Sequence, residues 1–274
     1  MDNYKEKKRI FELDFLRGVA VIAMIIDHFT YFADMSIDMA PSIFSNYLSV
    51  NSGWFNNFLT LCGDFQGTLF RNVGHYFFAT IFLTLAGISS SFSKNNFKRS
   101  GKVFIGALLI TIAMAIVSLV TGDDFHIIFG ILHLIGTSIL LFALVQKFFP
   151  NKWLYLIIGI ALVIWGFVIK WYNAPYIYYI HNLDFIKIIE VIMGYKVYGA
   201  DHFGIIPCTG VFFIGAFLGE TLYQKRKSLL PKLDGNWHKP FSFVGRHALI
   251  FYLLHQIVAL IIIGILYLIA GYRF

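Results

Sequence analysis

Residues 14–29, DFLRGVAVIAMIIDHF, set Asp14, Arg17, Asp27 and His28 in a run otherwise apolar enough to cross a bilayer. A charged Asp or Arg at the centre of a bilayer costs about 2.5–3.5 kcal/mol on insertion scales, so such groups are kept for a partner or a task. At 100° per residue, the eleven steps from Arg17 to His28 return to within about 20° of the same face and advance about 16 Å. Asp14, three residues before Arg17, shares that face and is within ion-pair reach. The stripe Asp14, Arg17, Val21, Met24, His28 must therefore look into a bundle interior or a wet passage, not into lipid. A neutral imidazole so placed can take a proton from a hydroxyl or amine near pH 7. Asp27 lies about 100° around the helix from His28. It does not face His28, but it can orient a histidine on a neighbouring helix, and a capping role fits its position equally well.

Other ionisable side chains recur in apolar surroundings. His75 stands in NVGHYFF, His133 in FGILHLIG and His255 in IFYLLHQ beside Gln256, while Asp201 and His202 precede a glycine-rich apolar run. His126, seven residues before His133, falls about 20° off the same face if one helix carries both. No third ligand follows with a metal-site spacing, so no metal is expected there. His133 then reads as the lining of a passage and His126 as a core histidine. For His255, lining a passage and hydrogen bonding between helices are both open. Arg17 and Arg246 fall within apolar helices, and Arg99 stands in a basic run with Lys98 and Lys102.

Long apolar elements must position these groups. The 274 residues are 58% hydrophobic and only 14% charged, with 30 Phe and 15 Tyr and a mean hydropathy of +0.71. A soluble domain carries nearer a quarter charged residues, so the expected fold is all-α, a polytopic transmembrane helix bundle. Apolar runs at about 12–33, 76–94, 103–121, 127–149, 153–172, 204–224 and 242–270 predict seven spans. The mixed segment 174–200 supplies an interfacial helix, a re-entrant piece or an eighth span. No repeat or linker divides the chain, so residues 1–274 read as one domain. With the N-terminus in the cytoplasm, fifteen Lys and Arg fall on the cytoplasmic side, from Lys5, Lys7 and Lys8 onward. Five fall outside, Arg71 among them, which is the distribution the positive-inside rule expects. The same clustering between spans explains the net charge of +7 without nucleic acid. The N-terminal run reads as a retained signal anchor. Cys62 and Cys208 allow at most one disulfide. Trp153, Trp165, Trp171 and the tyrosines at 176–179 suit interfacial belts, and Gly215 and Gly219 form a small-xxx-small pair for close helix approach.

Arginine, ten residues, then histidine on a first helix resembles the signature of the acyltransferase-3 type of membrane acyltransferase. More fully, RIFELDFLRGVAVIAMIIDHF, FFATIFLTLAGISSSFS, IIFGILHLIGTSILL, GIIPCTGVFFIGAFLGETLY and FSFVGRHALIFYLLHQ resemble the bacterial relatives of the heparan-α-glucosaminide N-acetyltransferase catalytic domain. They stand in family order over nearly the whole chain. The resemblance implies a multi-pass plasma-membrane enzyme that moves an acetyl group from cytoplasmic acetyl-CoA to an amine or hydroxyl of an extracytoplasmic sugar. A histidine would act as base or transient acyl carrier. The short motif puts His28 first. His75 comes second, because the animal members carry their essential histidine between the first two helices. Asp27 would support them. Arg17, Arg246 and Arg99 are the groups available for CoA phosphates, and His133, Asp201, His202 and His255 for the acceptor. Acyl-CoA, a saccharide and membrane lipid are then the partners, and a homodimer is compatible. The rival reading is a proton- or ion-coupled transporter, which buried His, Asp and Arg would also serve. It predicts inverted repeats with matching broken helices, and the sequence shows no such symmetry.

Overall fold

The computed structural model describes residues 9–122, 124–172, 184–199 and 201–274. Among them lie ten α-helices: α1 (Phe11–Ile43), α2 (Gly53–Gly67), α3 (Leu69–Ser91), α4 (Asn96–Thr121), α5 (Ile131–Phe148), α6 (Lys152–Tyr172), α7 (Phe185–Met193), α8 (Ile205–Thr221), α9 (Lys239–Arg246) and α10 (Ala248–Ile269). Six of them (α1, α3, α4, α5, α6 and α10) are long and apolar enough to cross a membrane, and α8 is a shorter apolar helix. Hydrocarbon offers no hydrogen bonds to a bare backbone, which is why apolar sequence of this length closes into helices. The chain is a polytopic helical membrane protein.

The seven expected segments map onto α1, α3, α4, α5, α6, α8 and α9–α10, with instructive shifts. α1 does not stop near residue 33 but runs to Ile43, about 50 Å at 1.5 Å per residue. The last expected span divides at His247 into amphipathic α9 and apolar α10, so Arg246 ends α9 and does not enter the long helix. α5 starts only at Ile131 behind Gly130, because α4 ends on left-handed Gly122 and Ser118 Oγ accepts a hydrogen bond from Phe125 N. His126 is therefore in a loop and not on a helix face with His133. Of the mixed segment, residues 184–199 are described, and their helix α7 has nine residues, covers about 14 Å and cannot cross a bilayer. Lys5, Lys7, Lys8, Tyr176, Tyr178, Tyr179 and the Trp171 side chain lie outside the described residues. Cys62 and Cys208 are unbridged.

The chain forms two compact units. One comprises Leu13–Ile81 and Gly235–Phe274, that is, α1, α2, the start of α3, α9 and α10. Here α1 and α10 run parallel, and their contacts follow one another in register. At the N-terminal end of α1, a Cβ on Gly18 would collide with the Phe241 carbonyl, and one on Gly245 with the Asp14 carbonyl, so only glycine lets these backbones touch. In the middle His28 meets His255. Farther on, Tyr267 Oη donates to the Ser36 carbonyl at 3.1 Å, and Arg273 N donates to Asn46 Oδ1 at 2.7 Å. Phe44, Phe55, Tyr267 and Tyr272 close that end as an aromatic cluster, with Phe55 and Tyr267 edge to face at 4.6 Å.

The other unit comprises Phe82–Asp234 with the described residues up to Glu12. Gly87, Gly215 and Gly219 bring α3 and α8 into backbone contact, Gly215 against Thr84 and Gly219 against the Ile88 carbonyl. The small-residue pair read from the sequence packs in that way. Gly159 and Gly210 do the same for α6 and α8, around fully buried Phe142, Phe212 and Phe213.

Candidate active site

The residues 27 and 28 of α1 look to different neighbours. Asp27, 8% exposed, faces α3. There Arg71 Nε donates to its Oδ1 at 2.5 Å and Arg71 Nη2 to its Oδ2 at 3.1 Å, a two-pronged guanidinium–carboxylate pair. His75 Nδ1 lies 3.0 Å from the same Oδ2. Arg71 and His75 are four residues apart and so share one face of α3. A carboxylate held by a permanently charged guanidinium is ionised and only accepts hydrogen bonds. His75 Nδ1 is thus the donor, which leaves its lone pair on Nε2. From α2, Gln66 Nε2 donates to the Asp27 carbonyl at 3.1 Å and to Thr30 Oγ1 at 2.7 Å, fastening the same turn of α1.

His28 points instead toward α10. Its Nδ1 lies 2.8 Å from His255 Nε2, with the two rings stacked at 4.9 Å between centroids. His255 is buried, and its Nδ1 sits 2.6 Å from the Tyr252 carbonyl oxygen. One turn of α1 thereby carries two imidazole systems, one backed by a carboxylate and one by a second imidazole. Both arrays sit inside helices long enough to span. That is where unsolvated polar groups are costly and are retained for function.

A family model described as Heparan-alpha-glucosaminide N-acetyltransferase, catalytic, matches residues 9–65 and 54–257. The chain belongs to that family. It is a membrane acetyltransferase, and the match takes in every residue named in both arrays. No curated protein and no solved structure matches it.

The other candidates of this acetyltransferase are spread over both units. In the unit with α1, Arg17 Nη1 pairs with Asp14 Oδ1 at 3.2 Å, as the spacing required. Arg246 is exposed and spends Nε on the Ser242 carbonyl, 3.1 Å away. The two arginines adjoin Gly18 and Gly245, so they flank the same backbone contact. In the other unit, Arg99 Nη1 donates to buried Ser90 Oγ at 3.2 Å. His133 Nδ1 accepts from Gly130 N at 3.3 Å, and Asp201 packs against the same glycine. His202 Nε2 donates to the Val191 carbonyl at 2.8 Å. Burial holds the His202 imidazole below its ordinary pKa, and the hydrogen bond to Val191 offsets only part of this. His126 pairs with Asp124 at 2.9 Å, and Tyr198 Oη also donates to Asp124. Burial raises the Asp124 pKa, but the hydrogen bonds from His126 and Tyr198 outweigh it and hold the carboxyl below its usual range.

Sequence reasoning missed Arg71 and Gln66. By charge distribution alone Arg71 reads as an outer-side cation, and the structure shows it in the first turn of α3 on Asp27. The four-residue spacing from Arg71 to His75 was the available signal. Gln66 had none, since α2 is too short and too mixed to read as a span.

Proposed function

We propose that the protein transfers an acetyl group from cytoplasmic acetyl-CoA to a hydroxyl or amine of an extracytoplasmic saccharide. In this reading residues 1–274 act as one plasma-membrane domain with the N-terminus in the cytoplasm. The observation that carries it is the Arg71–Asp27–His75 array. Acyl transfer needs a base for the acceptor's proton, and a carboxylate on Nδ1 is how an imidazole is held in the basic tautomer and steadied once charged. The acceptor's O or N attacks the thioester carbonyl and the new bond to carbon forms. The C–S bond breaks, His75 Nε2 takes the acceptor's proton, and the thiolate of CoA receives it. His75 is favoured over His28 as the base on electrostatic grounds. An imidazolium at His75 lies against a carboxylate, whereas one at His28 lies against a neutral ring. Arg17 and Arg246, together at one end of α1, are suited to CoA phosphates, because Arg246 is exposed with only its Nε engaged among the described residues.

The test is acetyl transfer by the purified protein in lipid nanodiscs, with labelled acetyl-CoA and a panel of amino sugars and neutral sugars. Asp27→Asn and His75→Gln are each expected to lower turnover by about 10²–10⁴, the usual worth of a general base. Wild-type turnover in Asp27→Asn would overturn the assignment of the base. Failure of the wild type to transfer acetyl to any saccharide would overturn the acceptor class.

A further inference from the structure

The hydrogen-bond chain behind His28 allows one arrangement of protons among neutral rings. The Tyr252 carbonyl can only accept, so at 2.6 Å His255 Nδ1 must carry hydrogen. A neutral His255 then presents Nε2 as a lone pair. Across the 2.8 Å contact His28 Nδ1 must be the donor, and the His28 lone pair is left on Nε2. Among the described residues Nε2 of His28 has no partner. His28 itself is half-buried while His255 is 6% exposed, so the outer ring of the pair is the one that can be reached. The parallel register of α1 and α10, fixed at Gly18 and Gly245 below and at Ser36 and Tyr267 above, holds the two rings stacked.

We infer that His255 is a positioning residue that locks His28 in the Nδ1–H form and so presents the His28 Nε2 lone pair as the hydrogen-bond acceptor for the hydroxyl or neutral amine group of the acetyl acceptor. This rests on the acetyltransferase reading above. His255 touches no substrate. It acts through His28 alone, which separates it from a residue lining a passage. In this division of labour the carboxylate-backed ring removes the proton, and the imidazole-backed ring grips the group that loses it.

The experiment compares His255→Gln with His255→Lys in nanodiscs. Glutamine keeps an acceptor for His28 Nδ1 and a donor for the Tyr252 carbonyl, whereas lysine offers donors only and forces the opposite tautomer on His28. In protein carrying ¹⁵N-histidine, with the His28 signals assigned by their loss in His28→Gln, wild type and His255→Gln are expected to show a protonated Nδ1 and a bare Nε2. His255→Lys is expected to show the reverse. In kinetics, His255→Lys should raise the KM of the acceptor about tenfold, the weight of one hydrogen bond, leaving the KM of acetyl-CoA unchanged, with His255→Gln close to wild type. Assays with hydroxyl-bearing and amine-bearing acceptors run separately show which group His28 receives. A protonated Nε2 on His28 in the wild type, or a His255→Lys spectrum like that of the wild type, overturns the inference. If no acceptor is acetylated at all, the proposed function falls, and the spectra still decide the tautomer.

Discussion

Two neighbouring residues of one helix receive opposite treatment. Asp27 is engaged by a full charge on Arg71 and shares its carboxylate with His75, so that side of α1 is a charged array. His28 meets only a neutral ring whose far nitrogen is tied to a backbone carbonyl. The comparison shows how one turn of a membrane helix can serve two imidazoles that have different partners. A helix turn of about 100° between adjacent residues gives the two side chains different hydrogen-bond partners.

The strongest way to break this contrast is to remove the charge that balances Asp27. Arg71→Ala leaves a buried carboxylate beside His75 alone, and breaking a buried pair from one side costs about 3–5 kcal/mol. Thermal unfolding in detergent is expected to show that loss, with acetyl transfer abolished. The double variant Asp27→Asn with Arg71→Gln should regain most of the stability and none of the activity, because its remaining groups are neutral and none is a carboxylate. A double variant no more stable than Arg71→Ala would mean that Arg71 serves some partner other than Asp27.

A middle-sized effect should fall on the neutral pair alone. The contact between His28 and His255 depends on the α1–α10 register, which is set where Gly18 and Gly245 let backbones touch. Gly245→Ala inserts a methyl against the Asp14 carbonyl, and overpacking of this kind costs about 1–3 kcal/mol. The expected signature is a weakened His28 tautomer signal together with an unchanged response to Asp27→Asn, since α3 reaches Asp27 without α10. Gly101→Ala, where a Cβ meets nothing within contact distance, is the matched control.

These distinctions were unevenly legible in the sequence. Hydrophobic run length gave the spans, because backbone satisfaction in lipid depends on little else. The i to i+3 pair of Asp14 and Arg17 and the small-residue packing of Gly215 and Gly219 were readable from helical geometry, since they are local. That Asp27 faces away from His28 and can serve another helix was also readable. Which helix supplies the histidine was not: the meeting of residue 27 with residues 71 and 75, or of 28 with 255, is decided by tertiary packing. The break at His247 was hidden because α9 and α10 join in one largely apolar stretch. Helix ends set by side chain–backbone bonds, such as Ser118 to Phe125, left no periodic trace, and His126 was misplaced for that reason.

The smallest effect extends the comparison to a third backing group. His202, in the other unit and outside the spanning helices, is held by a carbonyl, with Nε2 donating to Val191. Burial lowers its pKa and the Val191 bond only partly restores it. In the unfolded chain the ring titrates near 6.5, so as pH falls through that value the unfolded state takes up a proton that the folded state refuses. Stability therefore falls from pH 7 toward pH 5 and is regained as pH rises through about 6.5, the sense in which an unfolded state binding more protons responds to pH. His202→Gln, which keeps a donor for the Val191 carbonyl, should flatten that slope in a pH series of melting temperatures. A slope unchanged in the variant would put the acid sensitivity elsewhere, and a slope of the opposite sign would mean that the folded ring holds its proton more tightly than a carbonyl partner and burial allow.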